Sequence, residues 1–255
     1  MTASGMTLKT LEHRSGYSAT ALSELLRGNY YPSWLLTYTI VRTLDMPAPP
    51  MLRLWRAAAH EACKEPIWIT RSIEDVAAMQ PEDPPLAFQG LVADMIGPYT
   101  DYARVFLQVD DRARGTVARA FDILWVRWDE AIASHNPYQY AWEILRNQVI
   151  ARAPRHTDGS PDLRAAAWSA RVPNQAVGLA DRISSATHLS IILDSVGRLP
   201  SDHRDVVVLH YTCGHEPDRV ATITGTSPAL VNSHLRHAHR ILHEHHIADT
   251  PGAAP

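Results

Sequence analysis

The chain lacks most of what would mark an enzyme, a membrane protein or a secreted disulfide scaffold. It has two cysteines in 255 residues, Cys63 and Cys213, far apart and in no zinc or disulfide spacing. They read as buried free thiols of a reducing cytoplasm. No apolar run approaches the roughly 18–20 residues that span a bilayer. The opening "MTASGMTLKT" has no apolar core of the signal-peptide kind. We therefore expect a cytoplasmic protein with no membrane partner. There is no glycine-rich phosphate loop, no nucleophile elbow and no suggestive carboxylate pair. No catalytic residue and no cofactor are expected, and the protein is not read as an enzyme. Charge of one sign is also scarce: the net charge is −3 with neutral histidine. The chain is thus not coated in positive charge, although a local basic face is still compatible with it.

Hydrophobic residues make up 45% and charged residues 20% of the chain, enough to fold most of it. Strand signals are few. Apolar residues recur at three- and four-residue spacing, the period of amphipathic helices, so the fold class is all-α. Two proline-containing breaks interrupt the pattern. One is "MQPEDPPLAF", around Pro81 to Pro85. The other runs from Pro154 through "RHTDGSPD" to Pro161, with Pro173 further on. These breaks define three helical units, residues 1–80, 86–155 and 186–247, two of them with a helix-turn-helix pattern. The tail "DTPGAAP" has the composition of a disordered end.

The C-terminal unit carries the clearest local grammar. Pro217 to Ile223 reads as a short helix and Gly225 as the turn, where a left-handed backbone suits glycine. Ser227 is a good N-cap and Pro228 suits the first helical position. Val231, Leu235, Ala238 and Leu242 then share one face as a core stripe. From Ser227 onward the opposite face holds Ala229, Ser233, Arg236, His237 and Arg240, flanked by Asn232 and His239. That is where a recognition helix places base and phosphate contacts. The residues alone leave two readings open, a DNA reader and a structural helical hairpin. His239 and His243 have a spacing that can ligate zinc, with His234, His237, His245 and His246 nearby. However, "HEHH" has the wrong spacing for a metalloprotease helix. The cluster reads as solvated or DNA-facing, and no metal is expected.

The longer stretch "ILDSVGRLPSDHRDVVVLHYTCGHEPDRVATITGTSPALVNSHLRHAHRIL" resembles region 4 of the extracytoplasmic-function sigma factors of bacterial RNA polymerase. The resemblance rests on "RLP" (Arg198–Pro200), Arg204, "VVVLHY" (Val206–Tyr211), Gly214 and the segment from Val220 to Leu242. It implies that this unit binds the upstream promoter element, with the helix after Ser227 in the major groove. Asn232, His234 and His239 stand where the family is commonly basic. Neutral histidine releases no counterion, so phosphate affinity near pH 7 is expected to be reduced.

The middle segment resembles region 2 of the same family, through Tyr102, Arg104, "FDILWVRWD" (Phe121–Asp129) and "YAWEILRN" (Tyr140–Asn147). The resemblance implies a unit that grips the polymerase clamp and opens the minus-ten element, holding flipped single-stranded bases. Tyr138, Tyr140, Arg146, Asn147 and Arg152 are the DNA-binding candidates there. Trp125, Trp128 and Trp142 read as core. The polymerase contact maps to "ARGTVAR", with Arg114, Thr116, Ala118 and Arg119. Arg114 and Gly115 replace the family's acidic pair, Ala118 its glutamine and Arg119 its final glutamate. Core RNA polymerase is therefore expected to be held weakly.

The first segment, "TLKTLEHRSGYSATALSELLRGNYYPSWLLTYTIVRTL", resembles the repressor-type helix-turn-helix regulators of the XRE family. Thr7–Arg14, Gly16, Ser18 and "YPSW" (Tyr31–Trp34) carry the likeness. Only six residues precede Thr7, so that family's first helix is expected to be missing. Ala19, Thr20, Ser23 and Glu24 face outward on the second helix, and Glu24 repels phosphate. A docking role, recruiting an accessory regulator, fits better than direct DNA reading.

The function expected is that of a sigma-factor-like transcription protein binding promoter DNA and polymerase. The alternatives are a promoter-binding regulator with a degenerate sigma fold and a protein-interaction module that docks on polymerase or another regulator.

Overall fold

The computed structural model of the chain describes residues 7–76, 81–169 and 179–248. Pro173, the tail from Asp249 and the side chains of His245 and His246 lie outside the described residues. Every regular element described is helical, as the spacing of apolar residues implies. Among the described residues the one pairing of extended backbone is an isolated bridge between Arg155 and Pro161. No described helix is long and apolar enough to cross a membrane. The chain divides into two compact units, Met1–Phe88 with Asp122–Trp128 and Gln89–Phe121 with Asp129–Pro255.

In the first unit, α1 (Leu8–Ser15) and α2 (Ala19–Leu26) form a helix-turn-helix. The Thr7 side chain caps α1, Gly16 ends it at φ 74°, and Ser18 caps α2. Glu12 adds a carboxylate to the same α2 terminus, accepting from the Ala19 amide at 3.0 Å, where free N–H groups and the helix dipole favour negative charge. Three further helices follow, α3 (Trp34–Thr43), α4 (Ala48–Glu61) and α5 (Pro66–Glu74).

Their core is a cluster of Trp34, Trp55, Ala59 and Ile69, with Tyr31, Tyr38 and Trp68 packed around it. Trp34–Trp55 and Trp55–Trp68 meet at ring-centroid distances of 5.7 and 5.8 Å, each such pair adding about 0.5–1.5 kcal/mol beyond its buried area. Trp55 Nε1 donates to the Pro32 carbonyl at 3.0 Å, tying α4 to the "YPSW" turn. Burial pushes the Tyr31 hydroxyl up to about 12. α4 starts after Pro47, which offers no side-chain cap, and Glu82 accepts from the Ala48 amide instead, at 3.2 Å. Trp125 is half-buried rather than fully core and stacks against Phe88, with Arg53 over its ring.

Cys63 is exposed, which corrects the reading of two buried thiols. It lies just past α4 with φ 53°, where the chain turns back and the Lys64 amide bonds the Ala59 carbonyl. Helix-terminating geometry, not burial, determines its position. Cys213 is half-buried, and burial pushes its thiol up to about 12.

The second unit has an aromatic core from α6 (Leu86–Leu107), α7 (Asp110–Val126) and α9 (Pro137–Arg152). Tyr102 meets Trp142 at 4.8 Å and Phe106 at 4.7 Å, and Tyr99 stacks on Phe121 at 5.7 Å. Trp142 is buried, as its helical spacing implies. The short α8 (Trp128–Ala133) precedes α9, which starts at the Asn136 cap and Pro137. The proline-marked stretch after α9 packs through Ala153, Leu163, Ala166 and Ala167, all buried, and includes the short α10 (Ala166–Ser169).

Then come α11 (Leu179–Gly197), α12 (Ser201–Val207), a wide turn at Val208–Thr212, α13 (Pro217–Thr224) and α14 (Pro228–Ala248). Val206–Leu209, Val220, Ile223, Val231, Leu235 and Ala238 are buried. The stripe expected on α14 is therefore its core face, with Leu242 half-buried at its end.

Candidate nucleic-acid interface

The α13–turn–α14 segment is set up by local chemistry. Gly225 ends α13 in the left-handed region at φ 68°, and its amide bonds the Thr222 carbonyl. Ser227 Oγ accepts from the Leu230 amide at 3.2 Å and caps α14. With Val231, Leu235 and Ala238 buried, Ala229, Asn232, Arg236, His237 and Arg240 are exposed, and Ser233 is half-buried. Asn232 Nδ2 donates to the Pro228 carbonyl at 2.9 Å, which keeps it close to its own helix. Arg240 lies 3.2 Å from His237 Nδ1, so the arginine donates and the imidazole accepts. The resulting surface is one of short polar groups and two guanidinium groups, suited to contacts with phosphate and base edges.

The histidines split into two groups. His203 on α12 packs edge-on against His234 at 4.8 Å and His237 at 5.9 Å. Burial, then the neighbouring imidazoles, push the His203 ring below the ordinary histidine range. His239 bonds the Tyr211 hydroxyl at 2.7 Å. Among the described residues, His239 and His243 gather no third metal ligand.

Sequence reasoning gave no hint of where this segment docks. The Gly225 carbonyl accepts from Asn136 Nδ2 at 2.9 Å, which places the turn on the N-terminus of α9. A Cβ on residue 225 would fall 2.3 Å from the Gln139 backbone nitrogen. Glycine is thus required twice, by its φ and by this approach. Beside the turn, Asp205 on α12 is buried. It accepts from Tyr102 Oη at 2.9 Å and pairs with Arg146 at 2.5 Å and Arg204 at 3.4 Å. Burial pushes the Asp205 carboxyl up, against the pull of Arg146 and Arg204. Gln139, Arg146, Asp202, Thr226 and His234, with Trp142, line a cleft of about 280 Å³ there.

The region 2-like candidates on α9 are placed unevenly. Arg146 is half-buried in this charge network, also 3.4 Å from Asp202. Tyr138 is half-buried, and Asn147 is exposed. Tyr140 donates to Glu130 at 2.8 Å, and Arg152 Nη1 donates to the Gln148 side chain at 2.8 Å. The polymerase-contact candidates lie on α7. Arg114 pairs with Asp110 and, at 3.0 Å, with Asp111 of its own helix. Ala118 is exposed and Arg119 half-buried, while Thr116 is buried and so presents nothing to a partner in this arrangement. Arg114 stands where the family is acidic, and its own i−4 and i−3 neighbours Asp110 and Asp111 offset its charge.

Residues 189–242 match the family described as Sigma-70, region 4. The matched span runs from within α11 to within α14 and includes α12, α13 and the capped turn. Comparison with curated proteins and with solved structures returns no match for the chain.

Proposed function

We propose that this chain is a sigma-factor-like transcription protein that binds promoter DNA through the exposed face of α14. In this reading residues 186–247 read the upstream element. Residues 86–155 serve core RNA polymerase and the minus-ten element, and residues 1–80 recruit an accessory regulator. The observation that carries it is the region 4 match at 189–242, which coincides with a capped helix-turn-helix whose outward face holds Arg236, His237 and Arg240. Region 4 units of sigma-70 proteins bind promoter DNA and RNA polymerase.

One observation favours a second reading, a promoter-binding regulator that is not a full sigma factor. Arg146 is held by Asp202 and Asp205 of the region 4-like part, and the Gly225 turn lies on the start of α9. Opening promoter DNA with α9 requires that contact to separate.

The full chain is mixed with purified core polymerase and promoter fragments, and both run-off transcription and DNA retention are measured. Transcripts with specific start sites support the sigma reading. Specific DNA binding without transcripts selects the regulator. Binding to neither DNA nor core enzyme overturns both and leaves a docking module for another regulator.

A further inference from the structure

Among the described residues, the stretch between α9 and α11 brings together a group of three side chains that could hold a metal ion. After α9 the chain closes a tight loop. Arg155 bridges Pro161, the His156 amide bonds the Ser160 carbonyl at 2.9 Å, and the Asp162 amide bonds the Pro154 carbonyl at 2.8 Å. Gly159 makes the bend at φ 85°. The loop rests on the last turn of α11, where a Cβ on Gly197 would fall 2.3 Å from the Pro161 carbonyl oxygen. Asp194, on the same end of α11, reaches back to the loop.

His156 Nε2 lies 3.0 Å from Asp194 Oδ1 and 3.7 Å from Asp162 Oδ1, and the three ligand atoms all fall within 4.8 Å of one another. His156 Nε2 and Asp194 Oδ1 are both buried and neither has a hydrogen-bond partner. They are close, but not aligned for a hydrogen bond. Leaving such atoms unsatisfied costs stability. An ion bonded to both removes that cost. Metal–nitrogen and metal–oxygen bonds of about 2.1 Å, met at roughly 90–110°, put neighbouring ligand atoms about 3.0–3.4 Å apart. The His156–Asp194 distance falls in that range, the His156–Asp162 distance lies a few tenths of an ångström beyond it, and the two carboxylate oxygens lie within 4.8 Å of each other.

We propose that His156, Asp162 and Asp194 bind a divalent transition-metal ion of the zinc class, which clamps the 154–164 loop onto the end of α11. The imidazole nitrogen selects a borderline metal over calcium or magnesium, which prefer all-oxygen shells. Water completes the shell.

Two guanidinium groups flank the ligands. Arg198 holds Asp194 through Oδ2 at 3.3 Å and Asp158 at 3.0 Å. Arg164 holds Asp162 through both oxygens, with its Nε 3.0 Å from Oδ1 and its Nη2 2.7 Å from Oδ2. They orient the carboxylates. They also repel the ion, so it is held less tightly than in a closed structural zinc site. Asp162, whose Oδ1 also accepts from the Arg164 amide at 3.0 Å, is the weakest ligand of the three.

The test uses the untagged full chain, stripped of metal with a chelator that is then removed, and titrated with Co²⁺ by visible absorption and with Zn²⁺ by calorimetry. One equivalent is expected, with a rise in melting temperature on Zn²⁺ addition. Asp194→Asn and His156→Gln each weaken it at least about tenfold, while the double change His239→Gln with His243→Gln leaves it intact. Where a ligand-removing variant does not fold, His156→Cys decides: with Co²⁺ it gains a near-ultraviolet thiolate-to-metal band. No saturable binding, binding lost only with His239 and His243 changed, or a Co²⁺ spectrum unaltered by His156→Cys overturns the proposal.

Discussion

Gly225 and Gln139 touch at the backbone: a Cβ added to the glycine would fall 2.3 Å from the Gln139 nitrogen and 2.6 Å from its Cα. The turn of the C-terminal helix-turn-helix and the first turn of α9 are thus in van der Waals contact, and no other residue fits at 225 without movement of main chain.

Gly225→Ala and Gly214→Ala separate two effects. Both glycines have φ near 70°, but nothing lies within 4 Å of a Cβ at 214. Gly214→Ala should lose about 1–2 kcal/mol from left-handed strain alone. Gly225→Ala should lose clearly more, because the Gln139 backbone must also shift. Denaturant midpoints of the two variants measure the difference, and equal losses would mean that the turn does not rest on α9.

Arg146→Ala removes the nearest cation from buried Asp205. Breaking a buried pair from one side typically destabilises by about 3–5 kcal/mol. The folded-state carboxyl of Asp205 is already raised by burial, and the variant raises it further. A native state that binds more protons than the unfolded chain loses stability as pH rises through that window. The variant should therefore lose more at pH 8 than near pH 4, and Asp205→Asn in the same background should recover part of it. Melting curves at the two pH values check this.

Burial and the imidazoles of His234 and His237 lower His203 below its unfolded value of 6.5, with Asp202 opposing. The unfolded chain then binds more protons between the two pKa values, so stability is fully present above about pH 6.5 and declines as pH falls toward the folded value. His203→Gln should flatten that decline between pH 7.5 and 5.5, seen as a smaller shift in melting temperature.

Replacing Arg236 and Arg240 together by alanine should weaken DNA binding and flatten its salt dependence. Each phosphate contact adds about 0.9 to the slope of log affinity against log salt. Both side chains are exposed, so little stability should be lost. An unchanged slope, measured by anisotropy across a salt series, would leave α14 as a structural hairpin helix.

Local chemistry was legible in the sequence. The caps Thr7, Ser18 and Ser227, the left-handed ends at Gly16 and Gly225, and the buried face of Val231, Leu235 and Ala238 follow from interactions within about a turn of helix. Such contacts are set by residue type and spacing, so a single chain suffices to read them. What α14 shows to solvent follows for the same reason, because fixing the inward stripe determines the outward one. The pairing of Arg114 with Asp110 and Asp111 lies within the same reach, at helical spacing, although a comparison with the family pattern alone does not bring it out. Tertiary structure alone decided the long-range pairings. Gly225 against Gln139, Asp205 with Arg146 and Tyr102, and His156 beside Asp194 each join residues far apart in the chain. Nothing in the residue types singles out those partners from the other acids, arginines and histidines. Their meeting depends on how α9, α11 and α12 pack, and burial then turns an ordinary aspartate or histidine into one whose charge and hydrogen bonds must be met by a neighbour.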